Sequence, residues 1–179
     1  DPTRYERTGQ NNARALLYDN KNRLWIACKD KTIAIYDNSH NFLGYLHFDG
    51  SVSMQPDTSL GMAYAITQDK SGTIWIGTKG NGLIEVQPGH SSLHFLLKQY
   101  KYSVEDIYSL SHNDIYAVCE DAVGRIWIAT FGGGVNYMEQ IEGKTRFINY
   151  RNKLKKFPIP LCYRTRDLVS DGNGRIWIA

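Results

Sequence analysis

The chain has 179 residues, of which 42% are hydrophobic, 22% charged and 12% aromatic, with a net charge of +3 and a pI near 8.7. This is the balance of a globular domain of ordinary size. The charge is too weak to argue for nucleic acid, and no stretch approaches the roughly 18 apolar residues that a membrane-spanning helix needs.

In chain order, the first element is a short stretch at Arg4 to Thr8, an outer strand ahead of the first complete unit. An apolar run, Ala15 to Leu17, then leads through Asp19 and Asn22 into Leu24-Trp25-Ile26, which predicts a hairpin. The Asp opens the turn because its carboxylate can accept a backbone N–H two or three residues on. Asn22 stands where such a turn needs positive φ, which Asn tolerates best after Gly. A third strand is predicted at Thr32 to Tyr36 and a fourth at Phe42 to Phe48.

The same order then recurs. Ala65 to Thr67, Asp69, Gly72 and Ile74-Trp75-Ile76 make a second hairpin, with strands at Leu83 to Val86 and Leu93 to Tyr100. Ala117 to Cys119, Asp121, Gly124 and Ile126-Trp127-Ile128 make a third, with strands at Val135 to Met138 and Thr145 to Tyr150. Leu168-Val169, Asp171, Gly174 and Ile176-Trp177-Ile178 open a fourth copy. The tryptophans stand at 25, 75, 127 and 177, so the spacings are 50, 52 and 50.

Four antiparallel strands per unit of this length point to propeller blades, because one blade cannot bury both of its faces alone. The predicted fold is all-β: a β-propeller fragment of about three and a half four-stranded antiparallel blades. Residues 1–12 hold the outer strand of a preceding blade, 13–62, 63–114 and 115–164 are blades, and 165–179 start a further one. A ring usually has four to eight blades. The chain therefore reads as part of a longer ring, or as half of one that a second copy completes.

In a propeller each inner strand starts at the mouth of the ring, and the turn between the second and third strands returns to that face. Five residues before each repeat Asp stand Arg14, Tyr64, Tyr116 and Arg166; Lys79, Asn81 and Phe131 sit in the returning turns. These seven are the candidate ligand-binding residues. Rings stack on the apolar faces of sugars, and Arg makes paired hydrogen bonds to carboxylate or sulfate. Each of the seven could equally serve packing between blades.

Other residue types say less. Cys28, Cys119 and Cys162 show no metal spacing and suit small core fillers, although one pair could bridge. The basic run from Arg151 to Lys156, with Lys153 and Lys155, suits a solvated loop. The five histidines do not recur at a fixed repeat position; His90 and His94 are four apart in a strand-and-turn setting, and only His112 falls near the mouth. No cofactor, metal or catalytic residue is expected.

The stretches Asp69 to Leu83 and Asp121 to Val135 carry D-x-x-G-x-I-W-I-[AG]-T followed by G-x-G-[LV]. This resembles the two-component regulator propeller repeat, and Leu110 to Ile115 resembles that family's lead-in to the inner strand. The first copy departs from the pattern, with Cys28 in place of the Thr and no glycine from Lys29 to Lys31. The resemblance implies the periplasmic sensor region of a hybrid two-component system histidine kinase: a non-catalytic, extracytoplasmic propeller that recognises an oligosaccharide. It would relay binding to a membrane-linked kinase absent from this chain. Expected partners are that oligosaccharide and either the remaining blades of the parent propeller or a second copy of the chain, a homodimer. Neither nucleic acid nor direct membrane contact is expected.

Two other readings stay open. One is a fragment of a lyase-like propeller enzyme, since streptogramin-lyase-type propellers also carry G-x-[IL]-W repeats. A sialidase-type Asp box fits less well, because its D-x-G-x-T-W spacing is shorter at each step. The other is a protein-interaction platform, in which the open faces of the end blades recruit partners.

Overall fold

A computed structural model describes residues 13–154 and 163–179. The strand predicted at Arg4 to Thr8, Cys162 and the lysines at 155 and 156 lie outside the described residues. Among the described residues all regular structure is strand, arranged in separate antiparallel sheets.

The first sheet runs β1 (Ala13–Tyr18), β2 (Leu24–Cys28), β3 (Ile33–Tyr36), β4 (Phe42–Leu46) and β5 (Val52–Ser53), in that spatial order. The second holds β6 (Ala63–Gln68), β7 (Ile74–Thr78), β8 (Leu83–Pro88) and β9 (Phe95–Tyr100). The third holds β10 (Ile115–Glu120), β11 (Ile126–Thr130), β12 (Gly134–Ile141) and β13 (Lys144–Ile148). A final pair, β14 (Leu168–Ser170) and β15 (Ile176–Ile178), completes the described chain. Inner strands β1, β6, β10 and β14 adjoin one another in that order, as propeller blades do, and the ring is unclosed.

The fifth strand of the first sheet corrects the expectation of four strands per blade. After β4 the chain turns tightly, with the Gly50 amide on the His47 carbonyl and the Asp49 carboxylate holding the Ser51 amide at 2.9 Å. That turn lays β5 back against β4 and brings Ser51 into an isolated bridge with His94, just ahead of β9.

The repeat motif works as one hydrogen-bonded unit. Trp25 Nε1 donates to Asp19 Oδ2 at 3.0 Å, Trp75 to Asp69 at 2.8 Å and Trp127 to Asp121 at 2.9 Å. The other carboxylate oxygen takes the amide four residues on and, two residues on, the amide at Asp19 and Asp121 or the Ser71 hydroxyl at Asp69. The reach is therefore one residue longer than the sequence suggested, because it closes both the turn and the start of the second strand. Asn22 (φ 58°), Gly72 (92°), Gly124 (85°) and Gly174 (90°) all adopt the left-handed conformation. Charge follows the same plan: Arg23 Nε and Arg125 Nε reach their own repeat's Asp at 2.6 and 2.7 Å.

Burial between sheets explains the apolar spacing. The first seam packs Trp25, Ile33 and Ile35 against Ile66, Ile76 and Ile84, with Phe95 edge-on to Trp25 at 5.1 Å. The second packs Trp75 and Leu83 against Leu110, Ile115 and Val118. The third packs Ala117, Ala129 and Val135 against Leu168. Ile66, Val118 and Leu168 are the same repeat position and are only 9%, 8% and 4% exposed, whereas the equivalent Leu16 is 61% exposed. At the other end Trp177 is 62% exposed, against 0% for Trp25.

Candidate functional site

The mouth residues owe their direction to a bulge that recurs in every inner strand. In β1 the register slips between Ala13 and Ala15, in β6 between Ala63 and Ala65, and in β10 between Ile115 and Ala117. The residue skipped is Arg14, Tyr64 or Tyr116. In the fourth copy the amides of Arg166 and Asp167 both donate to the Ala179 carbonyl, at 2.7 and 3.2 Å, which is the same irregularity. A bulge breaks the ladder locally and re-aims the side chain of its extra residue. Here it aims four equivalent positions out of the core.

The side chains so released form a ladder across the blades. Arg14 Cζ lies 4.8 Å from the Tyr64 ring centre. Tyr64 stacks on Tyr116 at 4.5 Å and 20°, and Tyr116 on Phe131 at 5.2 Å and 28°. Arg166 and Arg164 lie over Phe131 at 5.1 and 5.3 Å. Phe131 comes from the turn after β11, whose Gly132 and Gly134 amides are held by the Tyr163 carbonyl of the next lead-in segment. The Phe131 amide itself donates to the Asp114 carbonyl at 2.9 Å, as the Lys79 amide does to the Met62 carbonyl one repeat earlier.

Five of the seven candidate residues therefore come together: Arg14, Tyr64, Tyr116, Phe131 and Arg166. Lys79 is exposed in its turn on the same face. Asn81 is turned to another task. Its amide nitrogen donates to the carbonyls of Ser59 and Leu60 at 3.1 and 3.2 Å, and its own carbonyl accepts Gln99 at 2.9 Å, so it fastens the segment that leads into β6. Arg164 joins the ladder although it was not among the candidates; its isolated bridge to Phe131 depends on the path of the lead-in segment, which no repeat spacing reveals.

Burial pushes the Tyr116 phenol above its ordinary value; Tyr64 and Asp114 push the same way, and Arg166 pulls back. Tyr116 thus stays a neutral hydroxyl at physiological pH, able to donate. His112 is occupied: its Nδ1 accepts the Asp114 amide at 3.0 Å and its ring packs on Gly132, so it shapes the turn beside Phe131. Among the described residues no three His, Cys, Asp or Glu side chains group as a metal site.

Behind the mouth lies a buried polar knot. Asn136 Oδ1 accepts the Ser111 amide at 3.0 Å and the Asn149 amide nitrogen at 2.9 Å, while Thr130 Oγ1 donates to the Gly134 carbonyl at 2.8 Å. Every group is partnered, as burial of polar atoms requires. The basic run is partly engaged as well: Arg151 donates to the carbonyls of Ser103, Asp106 and Val104, and Lys153 pairs with Glu139 at 2.8 Å. Cys28 is buried and Cys119 half-buried, and burial raises the Cys119 thiol to about 11.

The family described as two component regulator propeller matches residues 59–80 and 109–132. No curated protein matches the chain. Among solved structures, the extracellular domain of a hybrid two component system from B. thetaiotaomicron superposes with a TM-score of 0.68 at 20% identity, over 94% of this chain and 22% of that one. A second such domain from the same organism gives 0.64 at 23% identity, over 95% and 22%. PorZ, a surface component of the type-IX secretion system of Porphyromonas gingivalis, gives 0.61 at 16% identity, over 91% and 24%. The chain spans under a quarter of the length of each, and at these identities the likeness carries the fold. The chain is a stretch of β-propeller, and two of its repeats match the two-component regulator propeller model.

Proposed function

We propose that this chain is a ligand-sensing part of an extracytoplasmic propeller in a two-component sensor, working without catalysis. Its ligand is an oligosaccharide bound at the mouth, its compartment the periplasm, and its output reaches a membrane-linked histidine kinase outside these 179 residues. The observation that carries this reading is the ladder from Arg14 to Arg166, which gathers hydrogen-bonding groups from four successive repeats on one face. The matched repeats and the resemblance in fold to extracellular domains of hybrid two component systems support it. Calorimetric titration of the chain against a panel of oligosaccharides is the test. Saturable binding that Tyr116→Ala weakens at least tenfold is the expected result, and a panel without any binder ends the reading.

The end faces favour a second role beside this one. Leu16 and Trp177 stand open at positions that the internal seams bury. Further blades of the same repeat, or a second copy of this chain, would cover them. Light scattering on the chain and on Leu16→Lys decides between the two: a dimer that the substitution splits identifies the second copy.

A further inference from the structure

The rings at the mouth are turned against one another, and that decides what they can offer a ligand. Tyr64 has Arg14 over its ring and stacks on Tyr116, and Tyr116 is held between Tyr64 and Phe131. Phe131 in turn carries Arg164 and Arg166. Rings used up in this way have little free face on which a sugar could lie, contrary to the stacking expected from residue type alone. The rim of the ladder stays open, and it consists of phenol hydroxyls and guanidinium edges.

A guanidinium lying over an aromatic ring keeps its in-plane N–H fork free, in the geometry that grips carboxylate and sulfate. Arg14, Arg164 and Arg166 are all exposed. Among the described residues none of the three forms a salt bridge, whereas Arg23 and Arg125 are each taken by the Asp of their own repeat. Two acids lie nearby, Asp114 close to Tyr116 and Asp167 next to Arg166 in sequence. With Lys79 on the same face, cations still outnumber them.

We propose that the mouth takes an anionic oligosaccharide, bearing carboxylate or sulfate, and that it reads the acid groups through guanidinium forks instead of stacking on the sugar rings. This rests on the oligosaccharide reading above and narrows it. Neutral sugars of the same length lack the group that the forks are shaped for.

The test is calorimetric titration of the intact chain with two matched pairs of hexasaccharides. One pair is oligogalacturonate and its methyl ester; the other is chondroitin sulfate and its desulfated, carboxyl-reduced form. Hexaglutamate serves as an anion without sugar. At least one charged sugar is expected to bind tenfold or more tightly than its neutral partner, and to weaken as salt rises from about 50 to about 300 mM. Arg14→Gln combined with Arg166→Gln is expected to cost a further tenfold or more with an unchanged melting temperature. Arg166→Lys, which keeps the charge but loses the fork, serves as a second probe should the pair misfold, and is expected to fall between. Equal affinity for charged and neutral partners overturns the anionic assignment and leaves the oligosaccharide reading standing. Hexaglutamate binding as tightly as the charged sugars overturns the sugar and leaves the anion. No binding by any of the five overturns both.

Discussion

Tyr64 and Tyr116 occupy the bulges of adjacent inner strands, and their rings stack at 4.5 Å, 20° from parallel, across the seam between two blades. The contact belongs to both blades at once, so it couples the mouth to the seam. Removing the Tyr116 ring deletes this stack and the one on Phe131. A paired aromatic contact contributes about 0.5–1.5 kcal/mol, and both rings are only half-buried. Tyr116→Ala is therefore expected to cost about 1–2 kcal/mol in urea unfolding, a modest loss beside the weakening of ligand binding proposed for it.

Acid is expected to unfasten the repeat turns. Burial alone would raise the Asp121 carboxyl, but the Trp127 indole, the Arg125 amide and guanidinium and the Val123 amide outweigh it and hold it at about 2, against an ordinary 3.8. Asp19 is lowered by its corresponding partners. A depressed carboxyl stabilises the fold fully above its unfolded value, and that stability is lost as pH falls through the folded one. The window for Asp121 thus runs from pH 3.8 down to about 2, with about 2 kcal/mol at stake. Urea unfolding measured at steps through this range should show the decline, and Asp121→Asn should flatten it while lowering stability at neutral pH.

The motif has Ala after Trp-Ile in copies one, three and four but Gly77 in the second, and the neighbouring blade supplies the reason. A Cβ on Gly77 would come 2.6 Å from Ile115 Cγ2. At the first seam the equivalent positions are Ala27 and Ala63, so bulk on one side is offset by smallness on the other. Gly77→Ala should overpack the seam and cost about 1–3 kcal/mol. Combined with Ile115→Ala, the loss should fall short of the two single losses added, a coupling of about 0.5–3 kcal/mol that a double-mutant cycle reads directly.

Arg151 reaches across to the segment before β10, donating to three carbonyls and to the Ser109 hydroxyl at 3.2 Å. Arg151→Ala is expected to raise amide hydrogen exchange across residues 103 to 109 at least tenfold while leaving the strands of the second sheet protected. Uniform exchange throughout the chain would mean that the segment was never held by this side chain.

Much of the architecture was legible because the repeat states it four times. Asp, Gly or Asn, and Trp at fixed offsets specify a turn, a left-handed residue and a seam, and counting back from the Asp finds Arg14, Tyr64, Tyr116 and Arg166. The bulge was not legible, since alternation of apolar residues through Ala15 and Leu17 is compatible with an unbroken ladder. Nor was the direction of the rings: a Tyr at a strand start can face a neighbour or a ligand, and only the spacing between blades selects the neighbour. Asn81 misled because turn residues on the mouth face also carry the backbone ties that hold the face together. Asn136 and Asn149 carry no repeat signal at all, as their network exists in the third copy alone among the described sheets.

The extra residue in each inner strand has a consequence for how such a domain diversifies. Arg14, Tyr64, Tyr116 and Arg166 lie outside the regular pairing and outside the apolar clusters of the seams, so exchanging one leaves strand register and the buried core as they were, although Tyr64 and Tyr116 also share a stack. Four positions on one rim can vary, the stacked pair in concert, and on the proposed reading each change would alter what is recognised without asking the scaffold to be solved again. On that reading, specificity and foldability are written in separate letters of the same repeat.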